Sequence, residues 1–299
     1  MNAVDIFCGA GGSSLGIERA GFKVEFALDV SKSKCRTFKA NFPGTEVIRA
    51  DALTFDSFPC ADLYSFSPPC TEISTANTGK NKDIEKGLSL VRRSLEIIAK
   101  VKPKWWWIEN VPYLTHFLKM KHYELNAADF GVPQIRRRVF FTNIPRPVQT
   151  HAEFPHDAHF FHEGPALKKW ISVREALAIE EGSQGNGFNL QERHNSTPNR
   201  RSLDEHSYAV LTNRTNYLLA WNGPSKTITA TEGKWAKGDR RRAGRIAGRA
   251  LTPEECAVLQ GFPKDFQFLG TKAERYLQIG DGVCPPVAEA LARSAFKAE

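Results

Sequence analysis

Cys70 is the residue of this sequence best placed to act as a nucleophile. It follows Pro68 and Pro69 directly after a short apolar run, and two prolines stiffen a turn. A thiol attacks as its thiolate, so a cysteine fixed in a partly exposed turn is a candidate, whereas a cysteine in apolar surroundings is inert. The other five cysteines are expected to be small core hydrophobic residues, at positions 8, 35, 60, 256 and 284.

Three charged residues accompany this thiol. Glu109 follows the apolar run Trp105–Ile108, where partial desolvation raises the pKa of a carboxyl and allows it to donate a proton. Arg136 and Arg138 precede another apolar run, and strand alternation places them on one side. Their guanidinium groups suit phosphates and carbonyl oxygens. Each of these patterns also fits a solvated surface charge, and that alternative stays open on the residues alone.

A glycine loop near the N-terminus predicts a nucleotide site. The segment Asp5–Gly12 leaves a strand and opens a helix, so its backbone can approach a ligand closely and its helix N-terminus offers free N–H groups. Asp29 ends the second predicted strand, where it can hold ribose hydroxyls, and Asp51 follows the third, where it can meet the adenine. This pattern does not separate a nicotinamide cofactor from an adenosyl one.

The elements that must position these residues alternate between strands and helices. The predicted strands are Ala3–Phe7, Val24–Leu28, Glu46–Ile48, Asp62–Phe66, Lys104–Ile108 and Val139–Thr142. Helices are predicted around Cys35–Asn41 and over Leu88–Lys100, and the tail Gln278–Phe296 is predicted to be a strand or turn and then a helix. Such alternation indicates an α/β fold with a mostly parallel sheet, whose ligands lie beyond the carboxyl ends of the strands.

The composition changes after about Pro145, where prolines, histidines and glycines become frequent and predicted strands become scarce. Residues 234–249 are strongly basic around Trp235. We therefore predict a first domain from residues 1–173 plus 270–299, and a smaller, irregular second domain from residues 174–269.

Charge and cysteine content narrow the functional class. The 299 residues carry a net charge of +8 with a pI near 9.2, which fits either a polyanionic partner or a merely soluble basic protein. The absence of a C-x-x-C pair favours free thiols over disulfides or zinc, so no metal is expected. No signal peptide and no long apolar run are found in the sequence, which predicts a cytoplasmic protein without a membrane span.

Seven short motifs, in order along the whole chain, resemble the bacterial and phage DNA (cytosine-C5) methyltransferase family. They are DIFCGAGG at 5–12, SPPC at 67–70, ENV at 109–111, GVPQIRRR at 131–138, RALTPEE at 249–255, LQGFP at 259–263 and QIGD at 278–281. Each motif alone is weakly specific, whereas their common order is a strong signal. The resemblance implies a Rossmann-like S-adenosylmethionine-dependent methyltransferase fold with a small target-recognition domain.

The resemblance also implies a role for each candidate residue. Cys70 would be the nucleophile, Glu109 would hold the N3/N4 edge of cytosine, Arg138 would meet its O2, and Arg136 would support Glu109 or a phosphate. The implied S-adenosylmethionine site comprises Phe7, Gly9, Ala10, Gly11, Gly12, Asp29, Val30, Asp51, Pro69 and Asp281. The implied contacts to double-stranded DNA are Ser74, Arg240, Arg241, Arg242 and Arg245. The target base must be flipped out to be reached, and a monomer suffices for this.

The sequence departs from the family pattern in three places. Thr71 and Ile73 replace a usual glutamine and phenylalanine in a loop expected to close over DNA. Asp281 stands where asparagine is usual, beside the expected methionine end of the donor. Its carboxylate could repel the carboxylate of the donor, which would weaken binding or favour a modified donor. Alternatively, a nearby cation compensates its charge. The interval between Glu109 and Gln134 is shorter than usual, which suggests that a helix and strand region is trimmed.

Three other functions compete with this interpretation. The same chemistry on a transfer RNA is the nearest, since one branch of the family acts there. A catalytically silent DNA-binding homologue is the second, kept open by Thr71 and Asp281. A nicotinamide dehydrogenase would explain the glycine loop but not Cys70 or Glu109.

Overall fold

The computed structural model describes residues 1–70, 73, 83–154, 166–178, 209–212, 217–220, 223–229, 245–246 and 249–298. Thr71 and four of the predicted DNA contacts lie outside these residues: Ser74, Arg240, Arg241 and Arg242. Arg245 belongs to a described strand.

A mixed seven-stranded sheet forms the centre of the described structure. Its strands are β1 (Asn2–Ile6), β2 (Lys23–Asp29), β3 (Glu46–Arg49), β4 (Leu63–Phe66), β5 (Trp105–Asn110), β6 (His122–Asn126) and β8 (Arg137–Thr142). Their order across the sheet is β3-β2-β1-β4-β5-β8-β6. The first five run parallel, whereas β8 is antiparallel to both β5 and β6. The carboxyl ends of β1, β2, β4 and β5 therefore share one edge.

The shorter strands lie outside this sheet. They are β7 (Gln134–Ile135), β9 (His151–Ala152), β10 (Lys168–Lys169), β11 (Ala209–Thr212), β12 (Tyr217–Ala220), β13 (Ser225–Lys226), β14 (Arg245–Ile246) and β15 (Arg249–Ala250). They pair two by two, and the parallel pair of β7 with β13 joins residues that are about ninety positions apart in the chain.

Seven α-helices are found in the described residues. They are α1 (Gly12–Arg19), α2 (Lys32–Asn41), α3 (Ile84–Val101), α4 (Val173–Ala176), α5 (Pro253–Leu259), α6 (Lys272–Asp281) and α7 (Pro285–Lys297). Two 3-10 helices cover Pro112–His116 and Ala127–Phe130.

The helices cover both faces of the sheet. On one face, Ile17 of α1, Phe38 of α2 and Leu291 of α7 are completely buried in one apolar cluster. On the other face, Val91 and Ile97 of α3 pack into a second cluster with residues of β1, β2 and β4. Burial of these side chains is the main stabilising contribution to such a layered fold. The predicted α/β, Rossmann-like fold is thereby confirmed.

One local prediction needs correction. Gln278 lies in helix α6 rather than in a strand or turn, because Thr271 and Glu274 form a capping box that starts this helix. The short interval between Glu109 and Gln134 contains strand β6 and two 3-10 helices. No helix among the described residues is long and apolar enough to cross a membrane.

Candidate active site

The turn that carries Cys70 is held between two strand ends. The Ser67 hydroxyl donates to the carbonyl of Phe7 at 3.0 Å, immediately after β1. The Asn110 side-chain amide, at the end of β5, donates to the carbonyl of Pro68 at 3.0 Å. Cys70 is therefore placed at the shared carboxyl edge of the sheet. Asn110, which the sequence shows only as part of the ENV motif, is a positioning residue for this turn.

Glu109 and Arg138 form an ion pair beside this turn. Arg138 Nε lies 3.1 Å from Glu109 Oε1, and both side chains are largely buried. Burial raises the pKa of Glu109, and the charges of Arg138 and Arg136 oppose this rise only in part. Glu109 therefore binds a proton more readily than a free carboxyl group does.

The thiol of Cys70 is subject to the same charges. Burial raises its pKa, while Arg138 and then Arg136 stabilise the thiolate, and Glu109 and Asp281 disfavour it. A proton on Glu109 would remove one of these opposing charges. Protonation of the carboxyl and ionisation of the thiol therefore favour each other.

Arg136 joins the sheet to two other segments. Its buried guanidinium donates to the carbonyls of Ile228 and Gly280 at 2.9 Å and of Gly282 at 3.2 Å. Burial, followed by the charge of Arg138, lowers its pKa to about 10. These hydrogen bonds direct the guanidinium toward backbone rather than toward a phosphate, although it lines the same small cavity as Glu109 and Arg138.

Replacement of Arg136 by methionine is expected to lower the free energy of unfolding by about 3 kcal/mol, because buried carbonyls lose charged donors. Arg137→Met is the matched control, since the Arg137 side chain is 70% exposed and should contribute within about 0.5 kcal/mol. Urea denaturation of both variants measures the difference. Equal losses in the two variants would contradict the joining role of Arg136.

The glycines of the N-terminal loop differ in their surroundings. A Cβ on Gly11 would lie 2.4 Å from the Phe42 ring, and one on Gly12 would lie 2.2 Å from the carbonyl oxygen of Val283. These two glycines permit close packing. Gly9 has a positive φ of 57° and open space where a Cβ would be, so its backbone is the part of this loop that faces a possible ligand.

The acidic strand ends lie beside this loop. Asp29 Oδ2 accepts from the backbone N–H of Gly9 at 3.0 Å, and its Oδ1 accepts from Ser31 N–H at 2.8 Å. The adjacent Val30 is 62% exposed, and it presents an apolar surface next to a carboxylate. Asp51 starts the next turn by accepting from the backbone N–H of Leu53. The structure therefore brings the predicted adenosine residues to one edge.

Asp281 has a cationic partner. Lys34 Nζ lies 2.9 Å from Asp281 Oδ2, across 247 residues of sequence. Of the two alternatives that the sequence left open, compensation by a nearby cation is what the structure contains. Lys34 was missed because nothing local in the sequence connects α2 with the end of α6. Among the described residues, no group of three or more metal-ligating side chains is arranged to hold a metal ion.

Comparison with solved structures supports the fold. A prophage-encoded methyltransferase of Escherichia coli superposes with a TM-score of 0.69 at 21% identity, covering 99% of each chain. The Dnmt2 methyltransferase of S. pombe superposes with a TM-score of 0.62 at 17% identity, covering 100% of this chain and 99% of that one.

Sequence comparison identifies the family. The Type II methyltransferase M1.HphI of Haemophilus parahaemolyticus is 29% identical over 99% of this chain and 87% of its own length. M.NgoMIV of Neisseria gonorrhoeae is 30% identical over 100% of this chain and 98% of its own. A family model for C-5 cytosine-specific DNA methylase matches residues 1–297. The chain belongs to the C-5 cytosine-specific DNA methylase family, and its activity is DNA cytosine-C5 methylation.

Proposed function

We propose that this chain adds Cys70 to C6 of a cytosine flipped out of double-stranded DNA, and directs a methyl group from S-adenosylmethionine to C5. The observation that carries the proposal is the position of the Cys70 turn. Hydrogen bonds hold this turn to the end of β1, which precedes the glycine loop, and to the end of β5, which carries Glu109. This position lies where a base and a nucleotide-like cofactor can meet across the carboxyl edge of the sheet.

The residues at this edge suit S-adenosylmethionine. The open backbone at Gly9, the carboxylates of Asp29 and Asp51, and the exposed Val30 fit an adenosine. Phe7, Ala10, Pro69 and Asp281 complete the proposed set, with Gly11 and Gly12 shaping the loop by packing. When bound, this donor supplies an electrophilic sulfonium methyl group.

The chemical difficulty of the reaction is that C5 of cytosine is a poor nucleophile. Addition of the Cys70 thiolate at C6 breaks the aromatic system and makes C5 nucleophilic. Glu109 would protonate or hydrogen-bond N3 as negative charge develops there, and Arg138 would stabilise O2. The ion pair between these two residues supports such a shared contact with one base edge.

Product formation then restores the aromatic ring. Once C5 carries the methyl group, a base takes the C5 proton, and the electron pair of that C–H bond forms the C5–C6 double bond as the C6–S bond breaks and returns Cys70 as a thiolate. The N3 proton returns to the Glu109 carboxylate that supplied it. A stacked base does not expose both of its faces, so the proposal includes extrusion of the cytosine from the duplex.

We also propose contacts to DNA from other parts of the chain. We assign residues 174–269 to target recognition and residues 1–173 plus 270–299 to catalysis, with Ser74 as a DNA contact and Arg240, Arg241, Arg242 and Arg245 at the phosphates. The net charge of +8 supports binding to a polyanion. We further propose a monomer acting in the cytoplasm of a bacterial cell or a phage-infected host.

Transfer of a labelled methyl group from S-adenosylmethionine tests the proposal. Unmethylated genomic DNA should acquire label in 5-methylcytosine, and an excess of transfer RNA should compete only weakly. Label in transfer RNA but not in DNA would contradict DNA as the substrate. Tight DNA binding without any transfer would contradict an active enzyme and favour a silent homologue.

A further inference from the structure

The ion pair between Lys34 and Asp281 is unusually placed for a structural contact. Lys34 lies in the first turn of α2 and Asp281 is the last residue of α6. The N-terminal end of a helix disfavours a cation and the C-terminal end disfavours an anion, because of the helix dipole. Each side chain is thus at the less favourable end of its own helix. Such departures from local preference are expected at functional sites.

Both ends of the pair are held by residues of the proposed site. On the Asp281 side, the carbonyls of Gly280 and Gly282 accept hydrogen bonds from Arg136, and Gln260 also donates to Gly282 at 2.7 Å. The Asp281 backbone is therefore fixed relative to the base site.

On the Lys34 side, the Ser31 side chain caps α2 by accepting from Lys34 N–H, and Ser31 N–H donates to Asp29. The start of α2 is therefore tied to the carboxylate proposed to hold the ribose. The charge of Asp281 helps to raise the pKa of Cys70, and the charge of Asp29 helps to raise the pKa of Lys34. Hydrogen bonds thus connect the pair to the ribose carboxylate through Ser31, and to Arg136 through the carbonyls of Gly280 and Gly282.

The accessibility of the two side chains differs. Lys34 is only 17% exposed, whereas Asp281 is 40% exposed. Burial lowers the pKa of Lys34, but the charges of Asp281 and Asp29 outweigh it, so the net pKa is raised and the ammonium is retained. The site therefore offers one fixed cation and one accessible anion, side by side.

We propose that Lys34 and Asp281 bind the amino-acid end of the methyl donor. The ammonium group of Lys34 pairs with the carboxylate of the donor, and the carboxylate of Asp281 pairs with the ammonium group of the donor. This inference rests on the proposed function. A zwitterion matches a neighbouring cation and anion, whereas Asp281 alone would repel the donor's carboxylate. Lys34 is thus a specificity-determining residue that allows an aspartate at position 281.

Calorimetric titration with two ligands tests the proposal. S-adenosylhomocysteine contains the amino-acid end, and 5′-methylthioadenosine contains only the nucleoside end. Lys34→Met should weaken S-adenosylhomocysteine binding by roughly tenfold or more and leave methylthioadenosine binding unchanged. Lys32→Met is the matched control, since Lys32 is exposed in the same helical turn. It should change neither affinity.

Asp281→Asn provides an independent arm. It should weaken S-adenosylhomocysteine binding several-fold, whereas tighter binding would show repulsion by Asp281 and overturn the proposal. Equal weakening of both ligands by Lys34→Met would also overturn it, because that result indicates a merely structural lysine. If the unmodified chain bound neither ligand, the proposed function would lose S-adenosylmethionine as its donor. This outcome is distinguishable from the two outcomes above, in which the unmodified chain binds the ligands and only the variants behave unexpectedly.

Discussion

Replacement of Cys70 by serine is expected to lower the rate of methyl transfer by roughly 10⁴-fold or more. A serine hydroxyl has a far higher pKa than a thiol and is a poor nucleophile toward C6 of cytosine. The turn itself should persist, because its hydrogen bonds come from Ser67 and Asn110 and not from the thiol. Single-turnover transfer of labelled methyl groups, beside DNA-binding titrations, measures the two properties separately.

Cys60→Ser is the matched control for this substitution. Cys60 lies ten positions before Cys70 and is an exposed free thiol, so its prediction as a core residue was wrong. Its replacement should change the rate less than about twofold. Retention of more than a tenth of the wild-type rate by Cys70→Ser would contradict covalent catalysis through this residue.

Replacement of Glu109 by glutamine is expected to lower the rate by about 10²- to 10⁴-fold. Glutamine can occupy the same buried position and donate a hydrogen bond, but it cannot deliver a proton to N3. The rate should fall while affinity for the donor is retained, because Glu109 belongs to the proposed base site and not to the proposed donor site. Steady-state rates over a range of donor concentrations measure both effects.

The pH dependence of the methyl-transfer rate tests the role of Glu109 as a proton donor more specifically. The proposed mechanism requires ionised Cys70 and protonated Glu109, so the wild-type rate should fall at both acid and alkaline pH. Burial raises the pKa of both groups. Without a proton to lose at position 109, the variant should lose the alkaline fall, and its rate should rise with pH until the thiol is fully ionised.

Glu124→Gln is the control for this profile. Glu124 lies on strand β6, which β8 separates from the strand of Glu109, and its side chain is 49% exposed. Its replacement should preserve the wild-type pH profile. A persistent alkaline fall in Glu109→Gln would assign the proton donor to another group.

Much of the fold could be predicted because its signals are local. The predicted strand Val24–Leu28 lies within β2 (Lys23–Asp29), and the predicted helix Leu88–Lys100 lies within α3 (Ile84–Val101). Apolar runs ended by glycine, proline or aspartate set these boundaries. The residues that follow such runs, including Cys70 and Asp29, were therefore placed at the correct edge of the sheet.

The remainder depends on contacts between distant parts of the chain. The partners of Arg136 are backbone carbonyls 92 to 146 positions away. Every residue has such a carbonyl, so the residue types do not predict which carbonyls accept from Arg136. Lys34 and Asp281 are far apart in the sequence and come together only in the folded chain, where they form an ion pair. The sequence alone therefore does not show that the charge of Asp281 has a cationic partner. At Gln278, by contrast, the sequence contains a local signal against the predicted strand or turn, because Thr271 and Glu274 form the capping box that starts its helix.

The central claim is a covalent bond between Cys70 and C6 of the target cytosine. DNA containing 5-fluorocytosine tests it most directly, since release of the enzyme requires loss of a proton from C5, and fluorine cannot leave in its place. In the presence of S-adenosylmethionine, a stable protein–DNA adduct should form. After digestion, mass spectrometry should locate that adduct on the peptide containing Cys70. An adduct on another residue, or full transfer to ordinary DNA with no adduct on the fluorinated DNA, would contradict the account.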